Sequence, residues 1–369
     1  MTIAVNTRLP GKEQPEGFGD FIYACMNRLT QKYPQHNFIY LFDKPFNNNL
    51  IFTKNVTTVV AGPEAKNVLL IKYWYNYKIP TLLKKYKADV FVSLDGICSL
   101  RTKIPQCLLV QDLSFLQQWV KKPQPGFYKK FTPEFLAKAK NIVTVSAYAK
   151  TKIFDQYKIT EGKIDVVYYG TDEIFKPITP DEKEVIREKY TDGKEYFLFS
   201  GHIDIRSNLI NLLKAFSFFK KRQKSNMLLL IAGKPGESFT KALKTFKFSR
   251  EVIVLNNLSK ANLAKITAAA YAMIYPVLYA DIAMPPLQAM QCEVPVITSN
   301  TGALPSLCGK AALYVNPLDF NDIAESMMLV FKDENKAKDI VKAGKIQAQL
   351  YQWDKTADLL WQAILKCVN

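Results

Sequence analysis

The sequence predicts an α/β protein made of two Rossmann-like, doubly wound parallel-sheet domains that face a cleft. Three observations carry that expectation. A chain of 369 residues is too long for one ordinary core and suits two domains of roughly 150–200 residues each. Short β-branched or aromatic runs alternate throughout with longer amphipathic segments. Near the middle lies a proline-punctuated polar stretch, Phe175-Lys176-Pro177-Ile178-Thr179-Pro180-Asp181, which reads as the seam between two such units.

In the first half the strand candidates are Thr2–Asn6, Asn37–Leu41, Val56–Val60, Ala88–Val92, Gln106–Val110, Ile142–Val145 and Ile164–Tyr168. Helical patterns fall between them over Phe18–Tyr33, Ala65–Tyr86, Gly126–Lys138 and Tyr148–Gln156. The second half repeats the scheme. Strands are expected at Tyr196–Ser200, Met227–Ala232, Val252–Leu255, Ala272–Tyr275 and Pro295–Ile297. Helices are expected over Asn208–Arg222, Lys260–Ala270, Pro286–Cys292, Asp319–Lys332 and Asn335–Leu350. Strands that are apolar at every position are covered on both faces, which parallel sheets with crossover helices provide. Two such domains place a cleft where the C-terminal ends of their sheets meet, and a nucleotide or phosphorylated ligand is expected there.

Composition narrows the function. Hydrophobic residues make up 48% and charged residues 22%, globular values that exclude wholesale disorder and fibrous repeats. No apolar run is long enough to span a bilayer and no secretory leader is evident, so a cytoplasmic location is expected. Six scattered cysteines without a C-x-x-C pair, and only two histidines, argue against structural zinc, a disulfide framework and histidine-rich catalysis. The net charge of +17 calls for a phosphate-rich ligand or an anionic surface, unless it serves solubility alone.

Three segments could carry chemistry. Gly17-Phe18-Gly19 follows the first strand and opens a helix, so backbone amides there could approach an anion, although the full G-x-G-x-x-G fingerprint is missing. Gly201 to Asn208 links a strand to a helix and carries Arg206, whose guanidinium can hold phosphate bidentately. A third strand end, Val277 to Ala283, runs into a helix begun by Pro285 and Pro286.

These segments, in this order, resemble glycosyltransferase family 4 (glycosyl transferases group 1), whose fold is GT-B. Gly17-Phe18-Gly19 looks like that family's N-terminal glycine loop, and Val110-Gln111-Asp112-Leu113-Ser114-Phe115 like its HDL-x-F strand end. Thr144-Val145-Ser146, Tyr169-Gly170-Thr171-Asp172 and Phe175-Lys176-Pro177 are similar to TVS, NGVD and F-x-P. Gly201 through Asn208 matches G-x-x-x-x-R-K-N, and Pro285–Met290 with Pro295–Ser299 matches P-x-x-E-A-M-A-x-G-x-P-V-I-x-S. Ala311-Ala312-Leu313 with Pro317-Leu318-Asp319 fits the segment that follows, and Tyr351-Gln352-Trp353 resembles the F-x-W before the last helix.

The resemblance implies transfer of a sugar from a nucleotide diphosphate donor to a glycan or lipid-linked acceptor, with retention at the anomeric carbon and neither metal nor cofactor. It implies an acceptor-side domain over residues 1–175, joined by a final helix at about 352–369, and a nucleotide-sugar-binding domain over 176–351. Catalytic roles would fall on Arg206, Asp281 and Asp112. Donor contacts would fall on Gly17, Gly19, Gly201, His202, Ser207, Asn208, Leu258, Ala283, Met284, Leu287 and Gln288.

The chain also departs from the pattern. The family's E-x7-E pair falls on Ala280 and Gln288, the donor lysine on Ser207, a frequent arginine on His202, the histidine of HDL on Gln111 and a downstream glutamate on Ser306. Loop glycines are replaced by Asp281 and Ala283. Asp281 could stand in for the first glutamate if the loop shifts by one residue, while the amide of Gln288 can keep part of a ribose contact. Two readings follow, an enzyme with a shifted donor set or a homologue that kept the fold and lost the chemistry. The aromatic-basic stretch Lys72-Tyr73-Trp74-Tyr75-Asn76-Tyr77-Lys78 suits an anionic membrane surface, or else a core helix with a lysine-rich outer face. Nucleic acid is not an expected partner, because no nucleic-acid module is present.

Overall fold

The computed structural model describes residues 1–8, 18–45, 53–111, 113–116 and 125–368. The chain divides into two compact units, Met1–Gly170 with Trp353–Asn369 and Thr171–Gln352.

Unit 1 contains the strands β1 (Thr2–Asn6), β2 (Asn37–Phe42), β3 (Val56–Val60), β4 (Val90–Ser93), β5 (Gln106–Val110), β6 (Asn141–Thr144) and β7 (Ile164–Val166). They lie in the order β3-β2-β1-β4-β5-β6-β7, and every pair is parallel. Its helices are α1 (Phe18–Lys32), α2 (Val68–Tyr73), α3 (Ile79–Lys85), α4 (Pro125–Lys138) and α5 (Ala147–Tyr157). In unit 2 the strands β8 (Tyr196–Ser200), β9 (Leu228–Ala232), β10 (Val252–Leu255), β11 (Ala272–Tyr275), β12 (Val296–Ser299) and β13 (Leu313–Val315) run parallel in the order β10-β9-β8-β11-β12-β13. Around them stand α6 (Pro180–Thr191), α7 (Leu209–Gln223), α8 (Glu237–Lys244), α9 (Lys260–Ala269), α10 (Met284–Gln291), α11 (Leu304–Cys308), α12 (Phe320–Lys332) and α13 (Glu334–Ala348).

The two-domain parallel α/β class predicted from the alternation is the one found. Its cause is visible in β4, β5, β8 and β9, where every residue is buried. A strand apolar on both faces has no stable place except between two layers of helix. Each sheet reverses its winding once, between β1 and β4 in unit 1 and between β8 and β11 in unit 2. Loops leaving the C-terminal ends of those neighbouring strands diverge and leave a crevice, the usual seat of ligands in such sheets.

The seam turns into helix at Thr179. Its hydroxyl accepts from the Glu182 amide while the Glu182 carboxylate accepts from the Thr179 amide, a reciprocal cap that fixes where α6 begins. One expectation is corrected. The periodicity of 65–86 predicts a single helix, but the chain forms α2, a π-helical turn at Trp74–Lys78, and α3. Trp74 and Tyr75 are adjacent and both fully buried, which the widened turn accommodates on one face. Pro80, which has no N–H to continue an α-type ladder, sits directly beyond it.

The last helix, α14 (Trp353–Val368), belongs to unit 1. It packs on α1 and across β4, β5 and β6. Trp361 stacks on Tyr33 with ring centroids 3.9 Å apart, Arg28 Nε donates to Asp354 at 2.7 Å, and Asn141 Nδ2 donates to the Ala363 carbonyl at 3.0 Å. Gly170 makes room for the start of this helix, since a Cβ there would lie 2.5 Å from the Trp353 indole. All six cysteines are buried free thiols. Among the described residues, no helix is long and apolar enough to cross a membrane.

Candidate active site

In unit 2 the loops after β8, β9, β11 and β12 converge at the strand ends flanking the winding reversal. The β8 loop is a compact hydrogen-bonded bracket. Asp204 accepts the Arg206 amide at 2.8 Å, and the same carboxylate receives the Arg206 guanidinium at 2.8 Å from Nε and 2.6 Å from Nη2. That grip sets the plane of the guanidinium at the mouth of the loop, about one third exposed. Asp204 is thereby held below the ordinary aspartate range. Burial alone would raise it, but the hydrogen bonds from Arg206 and the positive charges of Arg206 and His202 outweigh burial.

A carboxyl with a lowered folded-state pKa stabilises the protein above its unfolded value, and loses that stabilisation as pH falls through the folded one. Asp204→Asn is therefore expected to lower Tm at pH 7. The gap from wild type should close as pH falls from about 5 towards about 3, as a melting series would record.

Several candidate donor residues serve the loop's own architecture. Ser207 is buried; its hydroxyl donates to the His202 carbonyl at 2.9 Å and accepts from the Asp204 amide at 3.0 Å. The serine in the lysine position thus faces into the bracket, with its hydroxyl bonded to the His202 carbonyl and the Asp204 amide. Asn208 adopts φ 57° and its amide donates to the carbonyls of Pro276, at 2.9 Å, and Pro317, at 2.6 Å. It ties the β8 loop to the β11 loop and so acts as a brace. His202 stands largely in solvent, with Nε2 4.0 Å from Asp204. Leu258 is half-buried in the loop after β10, outside this bracket.

Gly201 has φ 130°, and a Cβ there would stand 3.5 Å from the Pro285 ring, so this backbone lies against the start of α10. Ala283 is the buried N-cap residue of α10, Leu287 is fully buried, and Met284 and Gln288 are half-buried. Pro285 and Pro286 remove two N–H groups from the first turn, which leaves the Ala283 and Met284 amides as its donors. Asp281 is buried, and its carboxylate accepts the Tyr279 hydroxyl. The register of this loop is pinned at the neighbouring residue. Ala280 accepts from the Ala303 amide at 2.9 Å, and Gly302, at φ 61°, leaves no room for a Cβ, which would fall 2.6 Å from the Ala280 carbonyl. Gly302→Ala is expected to cost about 1–3 kcal/mol, read as a lower urea midpoint, with weakened ligand binding because Ala280 and Asp281 must move.

One basic residue went unnoticed in the sequence. Lys234 follows Gly233 at the end of β9, where a Cβ on Gly233 would lie 2.5 Å from the Gly201 carbonyl. Its loop backbone therefore abuts the Gly201 turn, and Lys234 itself is exposed. The available signal was a glycine-flanked lysine, Gly233-Lys234-Pro235-Gly236, directly after a wholly buried strand. Ser200 Oγ, buried under the same loops, has no hydrogen-bond partner among the described residues.

In unit 1, Gly17 and Asp112 lie outside the described residues, and Gly19 is the second residue of α1. Gln111 is buried at the end of β5 and its Oε1 accepts the Tyr169 hydroxyl at 2.7 Å. At this sheet's own winding reversal the strand ends bring together a cluster that sequence reasoning missed. Arg8 donates from Nη2 to Asp95 at 3.1 Å and from Nη1 to the Ala65 carbonyl at 2.8 Å, and Tyr75 donates to Asp95 at 2.5 Å. Burial would ease the proton off Arg8, but Asp95, with Tyr75 and Asp43, holds the guanidinium more firmly charged than usual. Among the described residues, no group of three or more histidine, cysteine or acidic side chains is placed to hold a metal ion.

Chemically, the unit 2 site presents an oriented guanidinium, a nearby loop lysine, a buried carboxylate and close-approach glycine backbone. These are the elements needed to position an anion with a polar group attached.

Residues 181–347, almost all of unit 2, match the family described as "Glycosyl transferases group 1". The chain is 26% identical over 237 residues to the O-antigen chain mannosyltransferase B of Escherichia coli, an alignment that covers 63% of this chain and 62% of that one. It matches the O-antigen chain mannosyltransferase RfbU of Salmonella typhimurium at 23% over 273 residues, covering 72% of each. The chain spans under two thirds of the first of these relatives. Among solved structures, the sucrose-phosphate synthase of Thermosynechococcus elongatus superposes with a TM-score of 0.75 at 16% identity, covering 98% of this chain and 97% of that one. With two parallel-sheet α/β domains and neighbours of this kind, the chain has the GT-B fold.

Proposed function

We propose that the protein is a retaining glycosyltransferase. In this reading it moves a sugar, mannose before others, from a nucleotide diphosphate donor on unit 2 to a glycan or lipid-linked acceptor on unit 1, in surface polysaccharide synthesis at the cytoplasmic face of a membrane. The observation that carries the reading is a coincidence of place. The segment that matches the glycosyl transferases is unit 2, and Gly201, Arg206 and the start of α10 gather at the winding reversal of that unit's sheet. Mannose comes first because the two O-antigen relatives are named as mannosyltransferases.

In the proposed reaction the bond between the anomeric carbon and the donor phosphate oxygen breaks, and its electron pair leaves with the nucleoside diphosphate. An acceptor hydroxyl bonds to the same face of that carbon and gives up its proton to the departing phosphate. Negative charge grows on the leaving diphosphate, which Arg206 and Lys234 would meet from the protein side. Asp281 and Gln288 would address sugar and ribose hydroxyls. The alternative, a GT-B homologue without activity, draws on Ala280 and on the inward-turned Ser207, two positions from which a side chain could not reach the donor as the family pattern requires.

The test is incubation with a panel of labelled UDP-, GDP- and ADP-sugars and a lipid-linked glycan extract, followed by product isolation and NMR assignment of the new anomeric centre. Labelled product with the donor's configuration supports the reading. Nucleotide binding without any transfer favours the inactive homologue.

A further inference from the structure

Unit 1 carries a feature the sugar-transfer reading does not use. Between the π-helical turn and α4 lies a cavity of about 150 Å³. An apolar cavity of about this size is large enough for a benzene ring, or a few carbons of a hydrocarbon chain. Its wall is mainly apolar, with Ile71, Leu100, Phe127 and Phe131 among its residues. Lys72 also lines it and is exposed, so the cavity reaches the surface beside a cation. The Lys72 ammonium rests 4.5 Å from the centre of the Phe131 ring, and among the described residues no carboxylate pairs with it.

The surface beside this mouth is unusual for a soluble face. Leu69, Tyr73 and Tyr77 are exposed, by 78%, 43% and 50%, at four-residue steps along α2 and the π turn. The two tyrosine rings stack 5.8 Å apart, and Arg101 lies 4.3 Å over Tyr77. From Lys66 to Lys87 the chain holds six lysines and no acidic residue. Aromatic rings with a leucine, flanked by lysines, are the composition that sits at the boundary between lipid headgroups and acyl chains. A π turn that departs from regular helix at such a place is frequently functional.

We propose that this face docks on an anionic bilayer, and that the cavity takes the end of one phospholipid acyl chain while Lys72 meets the phosphate of an anionic headgroup. Positive charge argues for an anionic surface. The breadth of the Leu69, Tyr73 and Tyr77 strip argues for a bilayer, because a single dissolved amphiphile would leave most of that strip in water. The proposal is independent of the donor site, and its readout is lipid binding, so either can fail without the other.

The test uses the full chain with two probes. One is vesicles of phosphatidylcholine with or without phosphatidylglycerol, scored by flotation. The other is short-chain phosphatidylglycerol kept monomeric, scored by calorimetry. Wild type should float with the anionic vesicles and bind the short-chain lipid. Lys72→Glu should weaken vesicle binding by about tenfold or more at low salt. Leu100→Trp and Leu100→Phe, which fill the cavity from its wall, should remove short-chain binding, with circular-dichroism melting to confirm that each remains folded. Equal binding to neutral vesicles, short-chain binding that survives in a folded Leu100 variant, or short-chain binding without any binding of the vesicles would each overturn the proposal.

Discussion

Arg206→Ala is expected to lower kcat/KM for sugar transfer by about 10²–10³-fold, the loss typical when one preorganised donor to a developing oxyanion is removed. The argument rests on how the residue is held. Asp204 takes hydrogen bonds from the backbone amide, Nε and Nη2 of Arg206, so in the proposed reaction the guanidinium would meet a leaving diphosphate already oriented. Orientation is what separates this residue from a generic surface cation. Arg206→Lys should recover little of the loss, because an ammonium offers no planar pair of donors for Asp204 on one edge and phosphate on the other. Steady-state kinetics on both variants, with circular dichroism to confirm that each is folded at the assay temperature, checks the prediction. Lys234→Ala, on an exposed and less constrained side chain, should cost less.

Trp361→Ala is expected to destabilise unit 1 by about 3–5 kcal/mol, measured as a fall in urea midpoint. Trp361 is buried, stacks on Tyr33 at an interplanar angle of 15° and faces His36 with ring centroids 5.2 Å apart. Its removal leaves a ring-sized void where α14 meets α1. The surrounding structure cannot easily close over it, because Arg28 to Asp354 and Asn141 to Ala363 hold the helix at separate points along its length. Trp361→Phe should retain about half of the stability, since the stack survives in part. A loss below about 1 kcal/mol for the alanine variant would mean that α14 contributes little to unit 1.

How much was legible in the sequence differs between scaffold and site. β8 and β9 announce themselves because Tyr196–Ser200 and Leu228–Ala232 are apolar at nearly every position, and only a two-sided layer can bury such a run. The π turn at Trp74–Lys78 escaped the periodicity because a local widening changes which residues share a face without changing composition. Site residues were harder. Ser207 occupies the position of a ligand-binding lysine, yet a short hydroxyl is satisfied within its own bracket by the His202 carbonyl, and no residue pattern reports that direction. Arg8 and Asp95 stand far apart in the chain and meet only because β1 and β4 are neighbours in the sheet. Lys234 becomes a candidate only once Gly233 is seen against Gly201.

The most direct measurement is calorimetric titration of the whole chain with GDP-mannose and with UDP-glucose, repeated on Arg206→Ala. Micromolar binding of at least one donor to the wild type, weakened about tenfold or more in the folded variant, is the predicted result. No binding of any nucleotide sugar to a folded wild type, or equal affinity in both proteins, would contradict a donor site built around Arg206.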